Sequence, residues 1–226
     1  MTGNNSLPWL VLQMCDSSFP VGGFAHSAGL EAALQLREAG ETHESLLWFC
    51  SELVNQCAYA ALPFVNSAYD EPESLASLDR RCDVFLSNHV ANRASRVQGR
   101  AFLTTCCRAF ELPGLGALKT SMRDERLSQH FAPLFGAVCK ALGIGRDDTR
   151  QVFLFLTIRG VLSAAVRLNA IGAYAAQQLQ LALSPMLDRL LDETMHLTAV
   201  GAAQTAPLLE VFQMTHDRLY SRLFQS

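Results

Sequence analysis

Charge is scarce in this chain. Only 17% of its 226 residues are Asp, Glu, Lys or Arg, and the two signs nearly cancel to a formal net charge of −3. So weak a balance, with a pI near 6.1, excludes a general electrostatic grip on nucleic acid. There is no Cys-x-x-Cys, no His-x-x-x-His and no His-Glu-x-x-His, so no metal ligand set is spelled out in one segment. No Asn-Gly or Asp-Gly dipeptide marks a β-hairpin, and no run alternates as a half-buried strand does. No basic stretch precedes an apolar core at the N-terminus, so no signal peptide is expected. The longest apolar stretch, 152–176, is broken by Arg159 and Arg167 into runs far below the ~20 residues of a membrane span.

Half of the residues are hydrophobic, which excludes global disorder and supports a sizeable core. The seven cysteines are odd in number and sit mostly among apolar neighbours, unlike the disulfide framework of a short secreted chain. A reducing, cytoplasmic setting is expected. Apolar residues recur at helical spacing: Leu46, Cys50, Leu53, Cys57 and Ala61 share one face, up to the break expected at Pro63. Asp70 to Glu73 reads as a turn opening a helix to about Asn88, and another covers 91–110. Pro113, Gly114 and Gly116 suggest a loop over 111–120. Helices follow at 131–142 and from Arg146 to about Asn169, the latter ~35 Å long with acids in its first turn. Ser184-Pro185 is expected to open a helix to about Leu197. Pro207 is expected to open the last, with Leu208, Phe212, Leu219 and Leu223 along one stripe. The expected fold is therefore all-α: one single-domain bundle of roughly eight to ten helices over 1–226, with residues 1–6 and 219–226 as tails.

Candidate chemistry is thin. Ala25-His26-Ser27-Ala28-Gly29 resembles the elbow that presents a hydrolase serine, but that elbow needs a strand before it, and Phe19 to Gly23 reads as a turn. A capping role for Ser27 or His26 at a helix starting near Ala28 fits better. Gly114 to Thr120 lacks the spacing of a phosphate loop. The arginines carry more information. Arg93, Arg96 and Arg100 fall in an arc of ~60° on one helix, while Ala91, Ser95 and Gly99 line a face that lets a second helix come close. Arg159 and Arg167 share a face of an otherwise apolar helix. Buried arginines must be paired, with Asp16, Glu31 or Asp192 as candidate acids. The alternative is a cationic patch for another protein.

These blocks together resemble one known family. Asp16 to Glu31, "DSSFPVGGFAHSAGLE", is similar to the opening signature of the UreF family of urease accessory proteins. So are "ANRASRVQGR", "SAAVRLNAIG" (163–172) and "MTHDRLYSRLFQS", where Asp217 stands in place of the usual glutamate. The resemblance implies an all-α homodimer that is no enzyme, and the residues themselves offer no catalytic constellation, no metal ligand set and no cofactor motif. It implies a scaffold and regulator that works with a UreD/UreH-type accessory protein and a UreG-type GTPase to insert nickel into apo-urease. The partner-binding residues expected on this basis are Asp16, Ser17, His26, Arg93, Arg96, Arg100, Arg167, Tyr220, Arg222, Leu223 and Phe224. The apolar tip at Leu219, Tyr220, Leu223 and Phe224 is expected either to be buried by the UreD/UreH-type partner or to dock on its own core. Two other readings stay open at this point, a generic helical interaction module and a serine hydrolase using Ser27.

Overall fold

The computed structural model describes residues 9–36 and 42–226. The expected N-terminal tail, residues 1–6, lies outside the described residues. Among these residues there is no strand, and the all-α reading holds. The helices are α1 (Trp9–Met14), α2 (Leu30–Gln35), α3 (His43–Ala60), α4 (Leu62–Asp70), α5 (Leu75–Phe85), α6 (His89–Phe110), α7 (Pro113–Asp124), α8 (Phe131–Ala141), α9 (Arg146–Arg167), α10 (Ala173–Glu193) and α11 (Pro207–Thr215). Short 3₁₀ turns lie at Gly23–Ala25, Pro72–Ser74, Ala199–Gly201 and His216–Arg218.

The middle of the molecule is α8. Every residue from Phe131 to Cys139 is buried, as expected of a helix apolar on all sides. It packs most extensively on α4 and then on α6. Both contacts depend on a glycine. A Cβ on Gly136 would stand 2.2 Å from the Val65 carbonyl oxygen of α4, and one on Gly99 of α6 would stand 2.0 Å from that of Gln129. The small-residue face read in α6 thus receives the segment leading into α8. Phe102, Phe131, Phe135 and Phe153 join α6, α8 and α9 in one aromatic cluster with centroids 5.1 to 5.5 Å apart.

The segment before α8 is tied down by a buried acid. Asp79 of α5, fully buried, accepts the main-chain N–H groups of Ser128 (2.7 Å), Gln129 (3.2 Å) and His130 (2.7 Å). His130, also buried, reaches Ser95 Oγ through Nδ1 (3.1 Å) and Asp83 Oδ1 through Nε2 (2.9 Å). Ser95 Oγ also accepts the Phe131 N–H, so this serine, histidine and aspartate serve to clamp the turn.

Three sequence expectations are corrected. Residues 113–124 are a helix and not a loop: Pro113 occupies its first turn, and Leu115 and Met122 are buried. Burial of that stripe outweighs the cost of two helical glycines, about 1 kcal/mol each. Pro185 lies inside α10 and does not open a helix. It sits on the exposed side, and so does Leu181, whose carbonyl loses its helical N–H partner but faces water. The buried stripe Ala176, Leu179, Leu183 and Leu190 carries the helix through, and it stops at Glu193 rather than Leu197. The last helix ends at Thr215, so Leu219 and Leu223 do not continue its stripe, and Leu208 is exposed while Leu209 and Phe212 are buried.

Helix α9 is long and apolar enough to cross a membrane by length and composition, with a mean hydropathy of 1.3 over its best window. Most of that window, 61%, is buried within the protein, which is the signature of a core helix.

Candidate functional site: a seam between the first block and the last residues

The block that opens the sequence folds as a turn leading to a short helix. Asp16 accepts the Ser18 N–H at 2.7 Å, and those bonds to Ser18 hold its carboxyl below the usual range. Gly22 and Gly29 have φ of 75° and 88°, which a residue with a Cβ adopts only under strain. Gly29, not Ser27 or His26, is the N-cap of α2. Ser27 is fully buried; its N–H donates to a main-chain oxygen of Ser226 at 2.6 Å, and its hydroxyl to the same oxygen at 3.3 Å. A hydroxyl so enclosed presents no nucleophile.

The other wall of the seam is the run after α11. The Gln225 N–H donates to the Ala25 carbonyl at 2.9 Å, and the Gln35 amide donates to the Ser221 carbonyl at 3.0 Å. Glu31, only 3% exposed, accepts the main-chain N–H groups of Leu223 (2.6 Å) and Phe224 (3.2 Å). It also lies 3.2 Å from His216 Nε2. An ionised carboxylate can only accept, so Nε2 carries the proton. His26 Nδ1 lies 2.5 Å from Ser226 Oγ. Burial first, then Arg93 and His216, lower the pKa of that imidazole and favour its neutral form.

Arginines brace the seam from outside. Arg167 donates to the Phe24 carbonyl at 2.6 Å and lies 4.8 Å from the Phe24 ring centroid and 4.4 Å from that of Phe224. Arg93 grips Asp217 with two bonds, at 3.1 and 2.8 Å. Arg222 and His89 reach the same carboxylate at 3.4 and 3.3 Å. The bond from Arg93 is the main reason that the Asp217 carboxyl is held below its ordinary value.

Of the expected residues, the fold brings His26, Arg93, Arg167, Arg222, Leu223 and Phe224 together at this seam. Tyr220 stands fully exposed beside it and Leu223 is half exposed, whereas Phe224 is buried on the chain's own core. Asp16 and Ser17 are exposed on the preceding turn. Arg100 is exposed and donates to the Arg96 carbonyl at 3.1 Å, while Arg96 Nε is buried without a partner. The acids expected to pair the arginines do not do so. Glu31 takes His216 and two main-chain N–H groups, Asp16 takes Ser18, and Arg159 donates to the Cys15 carbonyl. Of Arg93, Arg96, Arg100, Arg159 and Arg167, only Arg93 forms an ion pair among the described residues, with Asp217, which stood unassigned within the last block. Glu31 and His216 likewise lie within the quoted blocks, yet nothing local signals that residues 185 positions apart meet. No group of three metal-ligating side chains suited to an ion exists among the described residues.

The whole chain, seam included, has close relatives. A UreF family profile matches residues 41–184. Over 227 residues the chain is 38% identical to urease accessory protein F of Arabidopsis thaliana, covering 99% of this chain and 94% of that one. It is 37% identical over 220 residues to urease accessory protein F of Oryza sativa subsp. indica, covering 96% and 84%. It is 27% identical over 228 residues to urease accessory protein UreF of Bacillus sp. (strain TB-90), covering 96% and 97%. These relatives are named as helpers of an enzyme, and like them this chain is not an enzyme. It belongs to the UreF family of urease accessory proteins.

Proposed function

We propose that this chain is a scaffold and regulator in the maturation of urease. In this reading it works as a homodimer in the cytoplasm, binds a UreD/UreH-type accessory protein and a UreG-type GTPase, and couples GTP hydrolysis in the latter to nickel insertion into apo-urease. Nickel is cargo here and not a resident cofactor. The observation that carries the reading is near full-length similarity to relatives named as urease accessory proteins. A generic helical interaction module would not explain that similarity, and a serine hydrolase is opposed by the burial of Ser27.

The seam supports the reading in chemical terms. Exposed arginine beside exposed aromatic and aliphatic side chains is the composition of protein interfaces, and Arg93, Arg222, Phe24, Tyr220 and Leu223 combine both at one end of the molecule. Tyr220 and Leu223 are assigned to the UreD/UreH-type partner. Asp16, Ser17, Arg96 and Arg100, on the first turn and on α6, are assigned to the partners as well. The test is co-purification with UreG-type and UreD/UreH-type proteins, followed by urease activation with and without the chain. Capture of neither partner refutes the proposal.

A further inference from the structure

Residues 219–226 carry no α-helix or 3₁₀ turn, and only Phe224 and Ser226 of them are buried. They end against a cavity of about 260 Å³. Its walls are mainly apolar, with Leu53, Phe64, Val90 and Phe153 among them, and His26 and Ser226 stand together in its lining. Ser226 thus forms part of one wall. At that wall His26 uses Nδ1 on the Ser226 hydroxyl, while its Nε2 is buried without a partner.

Polar contacts rather than buried apolar surface hold this run in place. Three donors converge on one side chain: His216 Nε2 and the N–H groups of Leu223 and Phe224 all meet the Glu31 carboxylate. Hydrogen bonds to an ionised acceptor are about twice as strong as neutral ones. Further ties are main-chain bonds at Ala25 and Ser27, the Ser27 hydroxyl and the His26 ring on Ser226, the Gln35 amide on Ser221, Arg222 on Asp217, and Arg167 over the Phe224 ring. A segment with so little buried apolar surface opens at low cost unless such a group fastens it.

We propose that Glu31 is the latch of a releasable strap, residues 219–226, whose detachment removes the pocket wall at Ser226 and frees His26. The inference stands on this geometry alone and does not depend on the proposed role in urease maturation. Four amides report on the seam, because the N–H groups of Ser27, Leu223, Phe224 and Gln225 all donate across it. Hydrogen exchange of the full chain carrying Glu31→Gln is expected to speed at these amides by about tenfold or more, as loss of charge-assisted bonds implies. Amides of α8 and α9 should keep their wild-type rates. The His26 imidazole, followed by NMR, should titrate higher than in the wild type once it leaves its buried place beside Arg93 and His216. Leu223→Pro removes one donor to Glu31 and leaves the carboxylate intact; it should speed exchange at the three remaining reporters, Ser27, Phe224 and Gln225, and it carries the test if Glu31→Gln does not fold. Seam amides as protected as in the wild type would overturn the proposal. So would acceleration that appears only together with α8 and α9, since Glu31 would then hold the whole fold and not a strap.

Discussion

Gly99→Ala sets two opposing effects against each other at one site. Within a helix, alanine is favoured over glycine by about 1 kcal/mol, so the exchange would stabilise α6 if nothing stood nearby. The added Cβ, however, meets main-chain atoms: the Gln129 carbonyl oxygen at 2.0 Å, with His130 C and Phe131 N at 2.9 Å. Relief requires a retreat of about 1 Å or more, because non-bonded atoms do not approach so closely in a packed interior. The segment is not free to retreat. Asp79 holds the N–H groups of Ser128, Gln129 and His130, and Ser95 holds that of Phe131. Overpacking costs about 1–3 kcal/mol and weakened bonds to a buried carboxylate about 1.5–3 kcal/mol. Less the helical gain, the expected loss is about 1.5–5 kcal/mol. Gly116→Ala is the reference, since a Cβ there meets nothing within 4 Å, and it should raise stability by up to about 1 kcal/mol. Urea unfolding followed by circular dichroism reads both. A Gly99→Ala midpoint equal to or above the wild type would refute the close-approach argument.

Further expectations follow from the same contacts. Asp79→Ala leaves the buried N–H of His130 and the half-buried N–H groups of Ser128 and Gln129 without their acceptor and should destabilise by about 2–4 kcal/mol in the same assay. The Asp217 carboxyl is depressed chiefly by Arg93, so its contribution is present above the unfolded value near 3.9 and lost as pH falls through the folded one. The pair is largely exposed, so Arg93→Ala should raise the Asp217 pKa by NMR and cost no more than about 1 kcal/mol; an unmoved Asp217 contradicts the pairing. Burial pushes the Cys50 and Cys106 thiols up to about 12, so neither should react with a thiol reagent at pH 8 in the folded chain. Early labelling of either, mapped by mass spectrometry, would show the core to be open. Arg100→Glu changes an exposed residue and should leave the far-ultraviolet spectrum intact while weakening partner capture; unchanged capture removes Arg100 from the interface.

The sequence made the class of fold and most helix faces legible, because burial imposes its period directly on the apolar residues. The break at Pro63, the acid-started helix at Arg146 and the close approach at Gly99 all follow from local chemistry. Tertiary burial decided where it failed. Two glycines and a proline spoke for a loop at 113–116, yet Leu115 and Met122 needed a helix to reach the core. Pro185 spoke for a helix start, yet its exposed position let α10 continue through it. The candidate site was half legible. The first and last blocks supplied nearly all of its residues, but the reason they matter, that Glu31 and Ser27 bind Leu223, Phe224 and Ser226, is a contact nearly 200 residues long. No periodicity reports it. The pairing of Arg93 with Asp217 was hidden for the same reason.

The central claim is that this chain assembles with other urease accessory components and is needed for their action. Its most direct measurement is the activation of apo-urease by nickel with UreG-type and UreD/UreH-type proteins and GTP, with and without the purified chain. The account predicts joint co-purification of the three proteins and activation that depends on the chain. It also predicts that Tyr220→Ala with Leu223→Ala loses both while helical content is retained. Equal activation in the absence of the chain would contradict it.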